Sequence, residues 1–218
     1  MKKYKALIFD LDGTLADSLQ DLWLSTNHAL RTMGWPERTL DEVRRFVGNG
    51  VHLLIERAVP EGTEPQALER CFQEFRSHYV AHCMDHTAPY PGITDMLAQL
   101  DQAGYLMAIV SNKLQAGVSA MHRQHFMPHV RVAIGEHEGV RRKPAPDMVL
   151  EAIEALGAKA EECVYVGDSD VDVLTAQAAG LPCLSVLWGF RDRDFLLSHG
   201  ATTFMQQPSD ICDYMESH

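Results

Sequence analysis

Apolar positions along this chain follow two different periods. Near the start, Lys5-Ala6-Leu7-Ile8-Phe9 is a compact apolar run that stops abruptly at Asp10. A short unbroken run of this kind predicts a strand buried on both faces, with a loop at its C-terminal end. Similar runs recur at Leu106-Met107-Ala108-Ile109-Val110, at Val164-Tyr165-Val166 and at Leu184-Ser185-Val186-Leu187, with helical spacing between the later ones. That alternation predicts an α/β fold built on a doubly wound parallel sheet.

The interval between the first two runs has helical spacing throughout. Leu19, Leu22, Trp23, Thr26, Ala29, Leu30 and Met33 follow the three-and-four rule, and Gly34 with Pro36 closes the pattern. Thr39-Leu40-Asp41-Glu42 has the form of a capping box opening a second helix, which Gly48-Asn49-Gly50 interrupts. A third helix is predicted from Pro65, a residue tolerated at the first helical position, with Leu68, Cys71, Phe72, Phe75 and Tyr79 on one face. The chain returns through the turn-rich Ala88-Pro89-Tyr90-Pro91-Gly92, and a helix then runs from Ile93 toward Gly104. These patterns divide the chain into an α/β core of residues 1–15 and 88–218 and an inserted helical subdomain of residues 16–87.

Composition narrows the function classes. With 218 residues, 46% apolar and 22% charged, the chain can bury one proper core and has no disordered tract. Its formal net charge of -11 argues against a nucleic-acid footprint, and the run Arg141-Arg142-Lys143 is too short to change that. No apolar stretch nears the roughly 20 residues of a membrane span, and no signal-peptide core follows Met1, so a cytoplasmic enzyme is expected. The five scattered cysteines, none in a Cys-x-x-Cys spacing, read as reduced thiols. His122, His125 and His129 lie close together but lack a completing Cys or carboxylate, so they read as a solvated helix end.

Four segments carry candidate chemistry, three of them at strand ends that an open parallel sheet brings to one edge. Asp10-Leu11-Asp12-Gly13-Thr14 offers two carboxylates flanking one residue. One can attack phosphorus while its neighbour moves protons, which splits a hydrolysis into two easier displacements. Ser111-Asn112-Lys113 offers a hydroxyl and backbone N–H groups that suit phosphate oxygens, although Ser and Asn are also ordinary helix caps. Lys143, framed by Pro144 and Pro146, can balance the charge of the carboxylates and of a transferring phosphoryl group. Gly167-Asp168-Ser169-Asp170-Val171-Asp172 supplies oxygen ligands of the kind Mg²⁺ takes, with Asp170 equally readable as a helix-dipole partner.

In this order the four segments resemble the motifs of the haloacid dehalogenase superfamily of phosphotransferases, over the whole chain. The resemblance implies a Rossmann-like core with a helical cap of the first type. It implies that Asp10 is nucleophile and metal ligand, that Asp12 is general acid/base with its carbonyl on the metal, and that Asp168 is the remaining direct ligand. Asp172 would stand behind these ligands, and Ser111, Asn112 and Lys143 would bind phosphate and balance charge. The cofactor implied is Mg²⁺, and the second acid, Asp12, favours phosphoryl transfer over carbon–halogen cleavage. Asp17-Ser18 with Asp21, Val47-Gly48-Asn49-Gly50, Tyr90-Pro91-Gly92 and Trp188-Gly189-Phe190 are most similar to the phosphoglycolate phosphatase subgroup. The glycine turn and Trp188 can each be scaffold or substrate contact. The expected protein is a monomer or homodimer that hydrolyses a small phosphorylated metabolite. The same core also serves pyrophosphatases, nucleotidases, sugar phosphatases and β-phosphoglucomutase-type mutases, and a binding protein without turnover is the reading from another class.

Overall fold

The computed structural model describes residues 3–218. In chain order these form β1 (Ala6–Phe9), β2 (Ala16–Asp17), α1 (Leu19–Thr32), α2 (Leu40–Phe46), α3 (Val51–Ala58), α4 (Pro65–His82), β3 (Ala88–Pro89), α5 (Ile93–Gln102), β4 (Leu106–Leu114) and α6 (Gln115–Met121). There follow β5 (Val132–Glu136), α7 (Asp147–Leu156), β6 (Cys163–Gly167), α8 (Asp170–Ala179), β7 (Cys183–Val186), α9 (Arg193–Ser198), β8 (Thr203–Met205) and α10 (Ser209–Ser217). The fold is α/β, with a six-stranded parallel sheet and an inserted helical segment. Two compact units result: the chain up to Ala16 together with Pro89–His218, and Asp17–Ala88.

In the first unit the sheet runs β5-β4-β1-β6-β7-β8. Strand β1 is central and parallel to both neighbours. From β1 the chain proceeds to β4 on one side, and from β6 to β7 on the other, so the order reverses between β1 and β6. Ligand crevices of open α/β sheets lie at such a reversal, outside the C-terminal strand ends. The register sets what meets there. Phe9 is level with Ile109 and with Val166, so Asp10 emerges beside Val110 and Gly167, and Ser111 and Asp168 follow one residue further along. One sheet face is covered by α7 and α8, where Ala6, Ile8, Val110 and Tyr165 pack with Met148, Val149, Ala152 and Ala176. Leu7, Phe9, Met107 and Ile109, which alternate with them, are equally buried.

Within the six-stranded sheet, three strands differ from the sequence reading. β4 continues through Ser111, Asn112 and Lys113 to Leu114, with its ladder to β5 irregular after Val110, where a helix was expected to begin sooner. β5 and β8 escaped the apolar-run criterion. Both are sheet edges with half-exposed residues, so neither needs a continuous hydrophobic run.

In the helical unit the predicted boundaries are met for physical reasons. Thr39 and Glu42 close a reciprocal capping box at α2, and Pro65 opens α4. α1 buries Leu19, Leu22, Thr26, Ala29 and Leu30, and α4 buries Cys71, Phe75 and Tyr79. Asp21, only 2% exposed, accepts hydrogen bonds from the backbone N–H of His86 and Thr87 and from the Thr87 hydroxyl, which pins the returning chain to α1. The Gly48-Asn49-Gly50 turn is held by Arg57, which donates to the Phe46 carbonyl and the Asn49 side chain. No helix among the described residues is long and apolar enough to cross a membrane.

Candidate active site

The loop after β1 is a tight turn. Thr14, Leu15 and Ala16 all donate their N–H to the Leu11 carbonyl, and Gly13 donates to that of Ala16. Gly13 has φ of +91°, a conformation that side chains resist. A methyl group on Gly13 would overlap the Asp168 carboxylate, and one on Gly189 would overlap both Asp168 Cβ and the Gly13 carbonyl. These two glycines let the loops after β1, β6 and β7 close on one another. Because backbone and Cβ atoms cannot yield as a flexible side chain does, Gly189→Ala is expected to cost about 2 kcal/mol or more in chemical denaturation.

The loops bring three carboxylates together. Oxygens of Asp10, Asp168 and Asp172 lie within 4.8 Å of one another, and all three residues are buried. Lys143 pairs with two of them: its ammonium lies 2.7 Å from Asp10 Oδ1 and 2.8 Å from Asp172 Oδ1, and donates at 3.1 Å to the Tyr165 hydroxyl. The Tyr165 hydroxyl in turn donates to Asp172 Oδ1 at 3.0 Å. The other oxygen of Asp172 accepts the Ser169 hydroxyl at 2.6 Å and the N–H groups of Asp168 and Ser169. Both Asp172 oxygens are thus committed to protein donors. Asp172 nonetheless belongs geometrically to the carboxylate cluster.

Asp168 accepts from Thr14 Oγ1 at 3.2 Å and from the Phe190 N–H at 2.7 Å. Trp188 donates its indole N–H to the Thr14 carbonyl at 2.9 Å, so its polar atom braces the first loop. Asn112, expected beside the phosphate, has its side chain turned to Lys143. Its Oδ1 accepts the Lys143 N–H at 2.8 Å and its Nδ2 donates to the Lys143 carbonyl at 3.1 Å, a two-point grip on that lysine's backbone. Ser111 Oγ accepts the Lys113 N–H at 3.2 Å.

Asp12 stands apart from the cluster. Its carboxylate pairs with the Lys113 ammonium, which lies 3.1 Å from Oδ1 and 3.4 Å from Oδ2. Sequence reasoning named Lys113 only as part of its motif, and it assigned no role to Tyr165 or Thr14. A lysine directly following Ser-Asn at a strand end is the one signal that could have found the first. Tyr165 sits inside an apolar strand and gives none. The histidines at 122, 125 and 129 make no such cluster: His122 Nε2 bonds the Val130 carbonyl and His129 Nδ1 bonds Asp101.

Charge in this cluster is unbalanced. Three buried carboxylates face one buried ammonium, a surplus of two negative charges, while Asp12 and Lys113 cancel. Burial first, and then the Asp172 charge, hold the Asp10 carboxyl well above the ordinary carboxylate range despite Lys143. Burial opposes the charge on Lys143, but Asp10 and Asp172 outweigh it and hold the ammonium above the usual lysine range. Asp168 is pushed up to about 7 by burial and the Asp172 charge, against the Phe190 N–H, Arg191 and Thr14. One divalent cation on these hard oxygen donors would offset the surplus.

The sign of the resulting pH dependence follows. Between the unfolded carboxyl value near 4 and the folded value, native Asp168 holds a proton that the unfolded chain has lost, so this group's contribution to stability falls as pH rises. Relative to metal-free protein, Mg²⁺ in excess is therefore expected to raise the thermal midpoint more at about pH 8 than at about pH 5. An equal rise at both would separate the cation from this carboxyl.

A family model described as haloacid dehalogenase-like hydrolase matches residues 7–186. The phosphoglycolate phosphatase of Aquifex aeolicus is 31% identical over 98% of this chain and 98% of its own length. That of Xanthomonas campestris pv. campestris is 35% identical over 97% of this chain and 96% of its own. A crystal structure from Lactobacillus delbrueckii subsp. bulgaricus aligns with a TM-score of 0.94 at 34% identity, covering 99% of both chains.

Proposed function

The chain belongs to the haloacid dehalogenase-like hydrolases and is a phosphatase, and from that premise we propose that it hydrolyses a small phosphate monoester, 2-phosphoglycolate foremost, through an aspartyl phosphate on Asp10. The observation that carries this reading is the convergence of Asp10, Asp168 and Asp172 around the Lys143 ammonium at the reversal point of the sheet. The substrate rests on the relatives, named phosphoglycolate phosphatases at 31% and 35% identity.

Asp10 attacks phosphorus while Lys143, whose backbone Asn112 grips, holds the carboxylate in place. Ser111, whose Oγ already accepts a backbone N–H, donates its hydroxyl proton to a phosphoryl oxygen. Asp12 protonates the leaving oxygen and then takes a proton from the water that opens the acyl phosphate. The donors suit Mg²⁺, with Asp10, Asp168 and the Asp12 carbonyl as its ligands and Asp172 behind them, its oxygens committed to Lys143, Tyr165 and the Ser169 loop. When bound, the cation neutralises charge on the phosphoryl group and on the attacking carboxylate.

The test is a phosphate-release screen with Mg²⁺ over 2-phosphoglycolate, nucleotides, sugar phosphates and pyrophosphate. Preference for 2-phosphoglycolate supports the substrate, preference for another ester moves it, and silence across the panel overturns the hydrolytic reading.

A further inference from the structure

The two carboxylates of Asp10-Leu11-Asp12 lie one residue apart, yet each has its own lysine from a different part of the chain. Lys143 takes Asp10 at 2.7 Å, and Lys113 takes Asp12 at 3.1 Å. The Lys113 side chain is 5% exposed, and its stem lies over Gly117 on α6. A methyl group on Gly117 would stand 3.2 Å from Lys113 Cε and 3.4 Å from Cδ and Cγ, so the absence of a side chain there makes room for the stem. The Ser111 hydroxyl accepts the N–H of Lys113, and Asn112 between them points to Lys143. Extended backbone with alternating side chains thus delivers one residue to each acid's surroundings.

Stability does not explain a buried ammonium at this position. Taking both charges out of water costs about as much as their attraction returns, and an apolar side chain of similar length would pack over Gly117 as well. The pair does fix geometry. With the Lys113 ammonium 3.1 Å from Oδ1 and 3.4 Å from Oδ2, the Asp12 carboxyl is held in one orientation.

We propose that Lys113 is a positioning residue for the second half of the reaction, placing the Asp12 carboxylate to activate the water that hydrolyses the phosphoenzyme. This rests on the reading of Asp10 as nucleophile and Asp12 as proton carrier. In the first half, the bond from Asp10 to phosphorus forms as the ester P–O bond breaks, and the leaving oxygen takes a proton from Asp12. In the second, the water oxygen bonds to phosphorus, its proton passes to Asp12, and the Asp10–phosphorus bond breaks to release phosphate and restore the carboxylate.

The experiment uses p-nitrophenyl phosphate, whose leaving group departs without a proton. Lys113→Met is expected to give a burst of nitrophenolate of about one per active site, followed by steady turnover lowered roughly 10²-fold, with acid-trapped phosphoenzyme accumulating. The burst itself reports a folded protein with a working nucleophile. Lys113→Arg keeps a cation over Gly117 and is expected to stay within about tenfold of wild type without a burst. Steady turnover of Lys113→Met within about threefold of wild type overturns the inference, as does an equal loss in Lys113→Arg or a burst slowed as much as turnover. Absence of trapped phosphoenzyme in every protein, wild type included, overturns the Asp10 reading and this inference with it.

Discussion

Asp10→Asn is expected to lose phosphatase activity by a factor on the order of 10⁴ or more while remaining folded. The amide is nearly the shape of the carboxyl and still offers an oxygen to the Lys143 ammonium, but it has no anionic oxygen to attack phosphorus. The stability of the variant makes the prediction sharper. Asp10 is held above the ordinary carboxylate range by burial and by Asp172, so its ionised form is disfavoured in the folded state. A neutral replacement removes that penalty. In chelator near neutral pH, the thermal midpoint of Asp10→Asn should therefore equal or exceed that of wild type. A variant that is inactive because it is unfolded would not support the role, and turnover within tenfold of wild type would move the nucleophile elsewhere.

The second large effect is on Lys143, where function and stability fall together. Its ammonium donates to Asp10, Asp172 and Tyr165, and its side chain is 2% exposed. Lys143→Met keeps the apolar stem and removes the one buried cation among three buried carboxylates. Removing one partner of a buried pair costs about 3 kcal/mol or more, because the remaining charge has neither water nor counter-ion. For a chain of this length that lowers the thermal midpoint by on the order of 10 °C. The loss should shrink as pH falls, because Asp10, held above the ordinary carboxylate range, gives up its charge, and shrink when Mg²⁺ is added. Activity should fall on the order of 10³-fold even where the variant is folded, since the charge that holds Asp10 and faces the transferring group is gone. A variant as stable as wild type in chelator would show that Asp10 and Asp172 do not need this cation.

Contrasting Lys143 with Lys113 explains why the site was partly legible in advance. Asp10, Asp12, Ser111, Lys143 and Asp168 could be named because each sits where an apolar run stops or beside a rigid turn, and such positions are visible in one dimension. What each side chain binds was not visible. The side chain of Asn112 grips the backbone of Lys143, 31 positions away. Trp188, open to two readings, braces Thr14 across 174 positions. Tyr165 gave no signal, because a tyrosine in a buried strand reads as core until its hydroxyl is seen beside Asp172. The same limit applied to the strands. β1, β4, β6 and β7 are interior to the sheet and need apolar residues on both faces, whereas β5 and β8 are edges and do not.

The parallel α/β core, the inserted helices, the capping box at Thr39 and the four chemical segments are all written in the order of residues along the chain. All of these follow from burial period, backbone constraint and residue chemistry acting over a few neighbouring positions. Which lysine serves which carboxylate emerges only when the chain is packed, as does the commitment of Asp172 to Lys143, Tyr165 and the Ser169 loop. So does the need for Gly13 and Gly189 to lack side chains where Asp168 fits between them. Hydrogen bonds and ion pairs act over about 3 Å, here between groups such as Lys113 and Asp12 that are 101 positions apart. Local periodicity says that a residue is buried, and the packed backbone alone says against what.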